Sequence, residues 1–351
     1  MKRLGRLWPQ LIEFENLLSA WQKARRGKRQ TPEAARFEFY LEKELIRLQR
    51  QLQNGDYRPG SYRLFTIYER KPRQIAAAPF RDRVVHHAIM NCIEPGLDPT
   101  FIQDSYACRK GKGVHQAVNR YQTWARRYAY ALKLDVVQYF ASIDHQILKH
   151  KLYRRIKDKQ VLCLLDTIID GSPIAEEGDA KISMRKGIPI GNLTSQFFAN
   201  LYLDDLDHYV QQELKVHAYL RYVDDMVILD DDKSRLHDIR SKIEERLGVE
   251  RLRLHPRKAQ VSPVTKGLNL LGYLVYPASR RLRNDNGHRF YRRLRGFAEG
   301  YNQGRLDFSD FDPSVQSWIG HAIHADTYGL RRTIFSNVVF RRGTDQEAVG
   351  A

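Results

Sequence analysis

The stretch Tyr219-Leu220-Arg221-Tyr222-Val223-Asp224-Asp225-Met226-Val227-Ile228-Leu229 places two short β-forming runs on either side of an aspartate pair. Apolar, β-branched and aromatic residues dominate both runs, so the pattern predicts a hairpin with the two carboxylates at its turn. Adjacent carboxylates repel, and a divalent cation relieves that repulsion. An aspartate pair in a polar turn is common, so these residues alone identify no site.

Upstream, Tyr130, Leu132 and Leu134 alternate with Ala131, Lys133 and Asp135, the period of a half-buried strand with Asp135 near its end. Two Mg2+ ions about 3.5–4 Å apart need carboxylates from separate chain segments. Each ion accepts one or two carboxylates together with substrate phosphates. Asp135, Asp224 and Asp225 meet that requirement as catalytic and metal-binding candidates for nucleotidyl transfer, in which a primer 3′-hydroxyl attacks a triphosphate in line. Phe140, five residues after Asp135, can bar a sugar 2′-hydroxyl and select deoxynucleotides; the plain alternative is a core aromatic. Lys71 and Arg73 offer a point charge and a planar fork for the triphosphate, or form a solvated basic turn.

The wider chain suits such chemistry. Of 351 residues, 59 are Lys or Arg and 41 Asp or Glu, a formal charge of +18 that favours a polyanionic partner. Cys92, Cys108 and Cys163 form no CxxC pair, which argues against a disulfide scaffold or a cysteine zinc site. Glu13 and Glu15 interrupt any apolar signal core, and no run approaches the roughly 20 apolar residues of a bilayer span. A soluble, cytoplasmic protein with no membrane partner is expected.

Helix is predicted from the Thr31-Pro32 start through Phe37, Leu41, Leu45, Leu48 and Leu52 to the stop at Asn54-Gly55. Residues 58–79 read as short β-prone pieces, 81–94 as helix, Thr194 to Val216 as one helix, and Leu236 to Leu247 as a helix closed by Gly248. A last helical unit is expected from Trp318 to Leu330. Helices and strands mix without regular βα alternation, so the fold class is α+β. Asp204, Asp205 and Asp207 read as a solvated helix face, and His86 and His87 as helix residues facing different sides, poorly placed to share a metal. Gly111-Lys112-Gly113 is too short for a P-loop. After residue 280, Arg289, Arg292 and Arg293 lie in an arginine-rich segment interleaved with Phe290 and Tyr291, suited to phosphates and base stacking.

In order along the chain stand Lys71-Pro72-Arg73, Arg81-Asp82-Arg83-Val84-Val85, Leu134-Asp135 through Phe140-Ala141-Ser142-Ile143-Asp144-His145, Tyr222-Val223-Asp224-Asp225, Lys258 and Leu271-Gly272-Tyr273. This series resembles the motif set of prokaryotic reverse transcriptases, over about residues 60–280. The resemblance implies a right-hand polymerase fold, with an N-terminal basic extension and fingers over 1–125, a palm over 126–280 and a thumb over 281–351. It implies Asp135, Val136, Asp224 and Asp225 as the surroundings of two Mg2+ ions, with Mn2+ as a substitute. Phe140 matches the steric gate, and Lys71, Arg73, Ile190, Gln196 and Lys258 the nucleotide contacts.

One segment narrows the family. Ile190-Gly191-Asn192-Leu193-Thr194-Ser195-Gln196 stands where most relatives carry a QGxxxSP-type motif, and this form is similar to the reverse transcriptases of diversity-generating retroelements. Leu7-Trp8-Pro9-Gln10, Glu15-Asn16-Leu17-Leu18, the basic Lys23–Arg29 stretch, Ser105 through Gly113 and His324-Ala325-Asp326-Thr327-Tyr328 resemble that subgroup too. The implied activity is error-prone copying of a template RNA into cDNA, poorest opposite adenine, from a primer strand and dNTPs. The implied partner is a small basic accessory protein, and Arg109 and Lys112 join the three thumb arginines as nucleic-acid contacts. The alternatives are a group II intron-, retron- or defence-type reverse transcriptase, and a non-catalytic RNA-binding scaffold, against which the intact aspartate set stands.

Overall fold

Residues 2–68, 72–172 and 185–342 are described by a computed structural model, and they mix helices with small sheets, an α+β arrangement. Trp8–Ile12 (α1) and Phe14–Ala24 (α2) bury Leu11, Leu17, Ala20, Trp21 and Ala24 along one stripe. The apolar spacing expected to run as one helix to Asn54 forms two, Pro32–Phe39 (α3) and Leu41–Asn54 (α4). They part at Tyr40, whose φ of −107° and ψ of 30° leave the helical region. Gly55 closes α4 at φ 75°, a left-handed position that glycine takes without a Cβ clash. Arg63–Tyr68 (β1) and Pro72–Ala77 (β2) pair antiparallel, from Arg63 opposite Ala77 to Tyr68 opposite Pro72. Phe80–Leu97 (α5) packs on α2 and buries Val84, Val85, Ala88, Ile89 and Ile93.

Val114–Ala125 (α6) leads to Tyr130–Leu134 (β3), the strand expected before Asp135. Tyr139–Ser142 (α7), His145–Arg155 (α8), Lys159–Asp170 (α9), Leu193–Tyr202 (α10) and Asp204–His208 (α11) follow. Asp144 caps α8, its side chain accepting from the N–H groups of Gln146 and Ile147 at 3.0 and 3.2 Å. The single helix expected from Thr194 to Val216 breaks at Leu203 and, after α11, widens into a π turn over Tyr209–Glu213. Leu203, Leu206 and Val210 stay buried, so the apolar face survives the break.

The aspartate cluster on this segment corrects the reading of a solvated face. Asp204 and Asp207 are both 0% exposed, held by Arg155 at 2.5 Å and Arg221 at 2.6 Å. Guanidinium groups rather than water stabilise these carboxylates.

Tyr219–Tyr222 (β4) and Asp225–Asp230 (β5) form the predicted hairpin, with Tyr222 opposite Asp225 and a turn of two residues, Val223 and Asp224. Lys233–Val249 (α12) runs one residue past Gly248. Gln260–Pro263 (β6) completes a four-stranded sheet of order β4-β5-β3-β6. Leu268–Leu270 (β7), Tyr273–Val275 (β8) and Arg280–Leu282 (β9) form an antiparallel sheet. Asn284–Asn302 (α13), Phe308–Ala322 (α14) and Tyr328–Ser336 (α15) complete the described chain, so the helix expected from Trp318 to Leu330 is divided between two.

The chain forms two compact units. One unit comprises Met1–Gly113, Lys133–Ile228 and His237–Gln260; the other comprises Val114–Leu132, Leu229–Leu236 and Val261–Ala351. Long-range contact, not sequence continuity, decides membership. In the second unit Phe290 stacks on Trp318 with ring centroids 3.8 Å apart, and the Trp318 indole N–H donates to Asn286 at 2.8 Å. Among the described residues no helix is long and apolar enough to cross a membrane.

Candidate active site

Asp135 directly follows β3. Its carbonyl accepts from the His255 N–H at 2.8 Å, while the Val137 N–H donates to the Arg253 carbonyl at 2.9 Å. These bonds flank Val136, which is buried opposite Leu254, and they fix the strand end that carries Asp135. In the sheet, β5 is the neighbour of β3, which brings the Asp224-Asp225 pair toward Asp135 from a separate segment.

The electrostatics report that convergence. The Asp224 carboxyl is pushed up to about 6, first by burial, then by Asp225 and Asp135, with Lys258 opposing the rise. Two lysines balance the cluster. Lys258 Nζ lies 2.7 Å from Asp135 Oδ1, and Lys133 Nζ lies 3.1 Å from Asp225 Oδ1. Lys133 stands two residues before Asp135, on the same face of a strand, so the alternation already held a signal for it. Among the described residues no group of three or more His, Cys, Asp or Glu side chains is gathered tightly enough to hold a metal by itself. The donor chemistry nonetheless fits Mg2+, a hard cation that takes one or two carboxylates and fills its remaining positions with water and phosphate.

The hairpin turn is strained. Val223 has φ 57°, whereas Asp224 is not left-handed, the pattern of a hairpin turn whose first residue is usually glycine. A β-branched residue there costs on the order of 1–3 kcal/mol and must be held by its surroundings. Beside the turn, Arg221 donates to the Val223 carbonyl at 3.0 Å and is paired with Asp207. Arg221 was not singled out from the sequence and Asp207 was read as part of a solvated face, because nothing local links a strand arginine to an aspartate on an earlier helix.

Other candidates fall in different places. Phe140 is half-buried in α7, and its carbonyl accepts from the Ile188 N–H at 2.9 Å. Ile190 is half-buried, and its carbonyl accepts from the Ala76 N–H of β2 at 3.3 Å. Gln196 lies half-buried in α10, and Arg73 is exposed on β2 opposite Ile67. Lys71 lies outside the described residues. Arg109 spends its five N–H donors on Asp98, Ile102 and Ser105, so its fork braces a loop and is not presented to a phosphate. Lys112 Nζ donates to the Gln103 carbonyl at 2.7 Å and lies over the Tyr106 ring. In the second unit Arg289, Arg292 and Arg293 are exposed on α13, whose Phe290 and Leu294 are buried.

The chain's relatives place it. A profile described as reverse transcriptase (RNA-dependent DNA polymerase) matches residues 65–275, more than half of the sequence. Protein YkfC of Escherichia coli strain K12 is 26% identical over 270 residues, 66% of this chain and 70% of that protein. The group II intron-encoded protein LtrA of Lactococcus lactis subsp. cremoris is 24% identical over 176 residues, 49% of this chain but 29% of its own length. Nuclear intron maturase 1, mitochondrial, of Arabidopsis thaliana is 27% identical over 88 residues, 25% of this chain and 12% of that protein. The matched span contains Asp135, Asp224 and Asp225 together with the lysines that balance them, and the chain belongs to the reverse transcriptase family of RNA-directed DNA polymerases.

Proposed function

We propose that this chain polymerises DNA on an RNA template at Asp135, Asp224 and Asp225, in the palm of a right-hand fold with fingers before it and a thumb after it. The observation that carries this is the convergence of three carboxylates from two segments: Asp224, pushed up to about 6 first by burial, is raised further by both Asp225 and Asp135. Asp135, with Val136 beside it, Asp224 and Asp225 would hold two Mg2+ ions, or Mn2+ in their place. When bound, the ions activate the primer 3′-hydroxyl and balance the charge of the triphosphate. The side chains do the rest. Lys71, Arg73 and Lys258 bind the incoming dNTP, with Gln196 near it; Phe140 excludes a 2′-hydroxyl; and Arg289, Arg292 and Arg293 hold backbone phosphates of template and primer.

The finer reading is an error-prone enzyme of a diversity-generating retroelement, making mutagenic cDNA with a small basic accessory protein. Its support is the Ile190–Gln196 segment. The backbone here bonds to β2, which carries Arg73, and through Ile188 to Phe140. Ile190 thus lies among the proposed nucleotide contacts and offers shape alone, and apolar contacts separate rival substrates by only about 1–3 kcal/mol. In primer extension, Ile190→Gln is expected to lower misincorporation opposite template adenine; unchanged misincorporation contradicts this. The group II intron-encoded and intron-maturase relatives favour a second reading, an intron-, retron- or defence-type reverse transcriptase, for which the same substitution leaves adenine errors no different from those at other bases.

A further inference from the structure

Arg221 is 0% exposed, and its guanidinium is fully engaged. Nε donates to both oxygens of Asp207 at 2.7 and 2.9 Å, and Nη2 donates to Asp207 Oδ2 at 2.6 Å and to the Asn200 carbonyl at 3.2 Å. Nη1 donates to Asn200 Oδ1 at 3.3 Å and to the Val223 carbonyl at 3.0 Å. Asp207 also accepts from the Tyr219 hydroxyl at 2.7 Å. The backbone of Arg221 is pinned as well, its N–H donating to the Asp104 carbonyl at 3.0 Å and its carbonyl accepting from the Tyr106 N–H at 2.9 Å. A planar fork anchored on a buried carboxylate therefore reaches the turn at one atom, the carbonyl oxygen of the peptide that joins Val223 to Asp224.

Stability alone is a poor reason for this arrangement. Burying two charges costs as much as their attraction returns, and well-packed apolar pairs often replace buried ion pairs without loss. What an apolar pair cannot supply is a donor to the Val223 carbonyl. Without that donor, the strained Val223 can relax toward negative φ, and the peptide before Asp224 turns with it.

We propose that Arg221, oriented by Asp207, is a positioning residue for the aspartate hairpin: it locks the Val223–Asp224 peptide and so aims the Asp224 carboxylate. This rests on the reading of Asp224 as catalytic. Displaced carboxylates bind metal and stabilise the transition state less well while dNTP binding through other residues persists, so the loss should fall on kcat and on the Mg2+ requirement.

The test compares the full chain with Arg221→Lys, the paired Arg221→Met/Asp207→Leu and Asp224→Ala, reading primer-extension kcat, dNTP KM, the half-saturating Mg2+ concentration and the thermal midpoint. The paired variant is expected to keep its midpoint within a few degrees, lose about tenfold or more in kcat, and need several-fold more Mg2+, with KM changed by less than about threefold. Arg221→Lys keeps a cation for Asp207 but cannot span both acceptors, and is expected to show the same split when assayed below its own midpoint; it decides the matter if the paired variant does not fold. Wild-type kcat and Mg2+ requirement in either folded variant overturn the proposal. Full activity in Asp224→Ala overturns the catalytic reading beneath it instead.

Discussion

Lys258 and Asp135 are 123 residues apart in the chain, yet the lysine ammonium lies 2.7 Å from the aspartate carboxylate. With Lys133 on Asp225, this pairing puts a protein cation on each side of the carboxylate cluster. A divalent ion binding Asp135 must displace or share with Lys258.

Lys258→Met should therefore tighten Mn2+ binding in the absence of nucleotide. A part-exposed ion pair is worth up to about 1 kcal/mol, so the change should be about two- to fivefold, read by calorimetric titration. The same variant should raise the dNTP KM, since it removes a cation proposed to meet the triphosphate. Unchanged or weaker Mn2+ binding contradicts the competition.

The two arginine settings should separate cleanly. Replacing Arg289, Arg292 and Arg293 with Ala should leave the thermal midpoint nearly unchanged, because all three are exposed, while weakening RNA binding and reducing the salt slope by up to about three. Arg109→Ala should do the reverse. Its side chain is 7% exposed and bonded to the 98–105 segment, so its loss should lower the midpoint and leave the salt slope as it was. A matching fall in salt slope for both variants would refute the distinction.

His86 gives a pH signature. It is 1% exposed in α5, neither ring nitrogen has a hydrogen-bond partner among the described residues, and burial lowers its pKa to about 3. The unfolded chain, with histidine near 6.5, binds more protons than the folded one between those values. Stability from neutral His86 is therefore complete above about pH 6.5 and is lost as pH falls, by about 2 kcal/mol at pH 5. His86→Leu should flatten that dependence, and an unaltered midpoint-versus-pH curve would exclude His86 as its source.

Much of the framework was legible because it obeys short periods. The alternation at Tyr130–Asp135 and the β-forming runs around Val223 and Asp224 define strands whose ends are where the chemistry is expected. Tyr40 was not legible, since the apolar spacing continues through the break between α3 and α4. Asp207 was misread because a charged residue on a helix looks solvated until its partner, Arg221 on a later strand, is known. The Lys258–Asp135 pair and the joining of 114–132 with 261–351 depend on chain return, which local pattern does not encode. The IGNLTSQ segment was legible as a motif, but its backbone link to β2, and that of the preceding Ile188 to Phe140, appear only in three dimensions.

The most direct measurement is primer extension on an RNA template with Mg2+, comparing the full chain with Asp224→Ala at equal concentration and confirmed folding. Loss of extension by about a thousandfold or more in Asp224→Ala, with a thermal midpoint no lower than that of the parent, is the predicted result. Equal extension by the two proteins would contradict the assignment of the Asp135, Asp224 and Asp225 cluster as the polymerising centre.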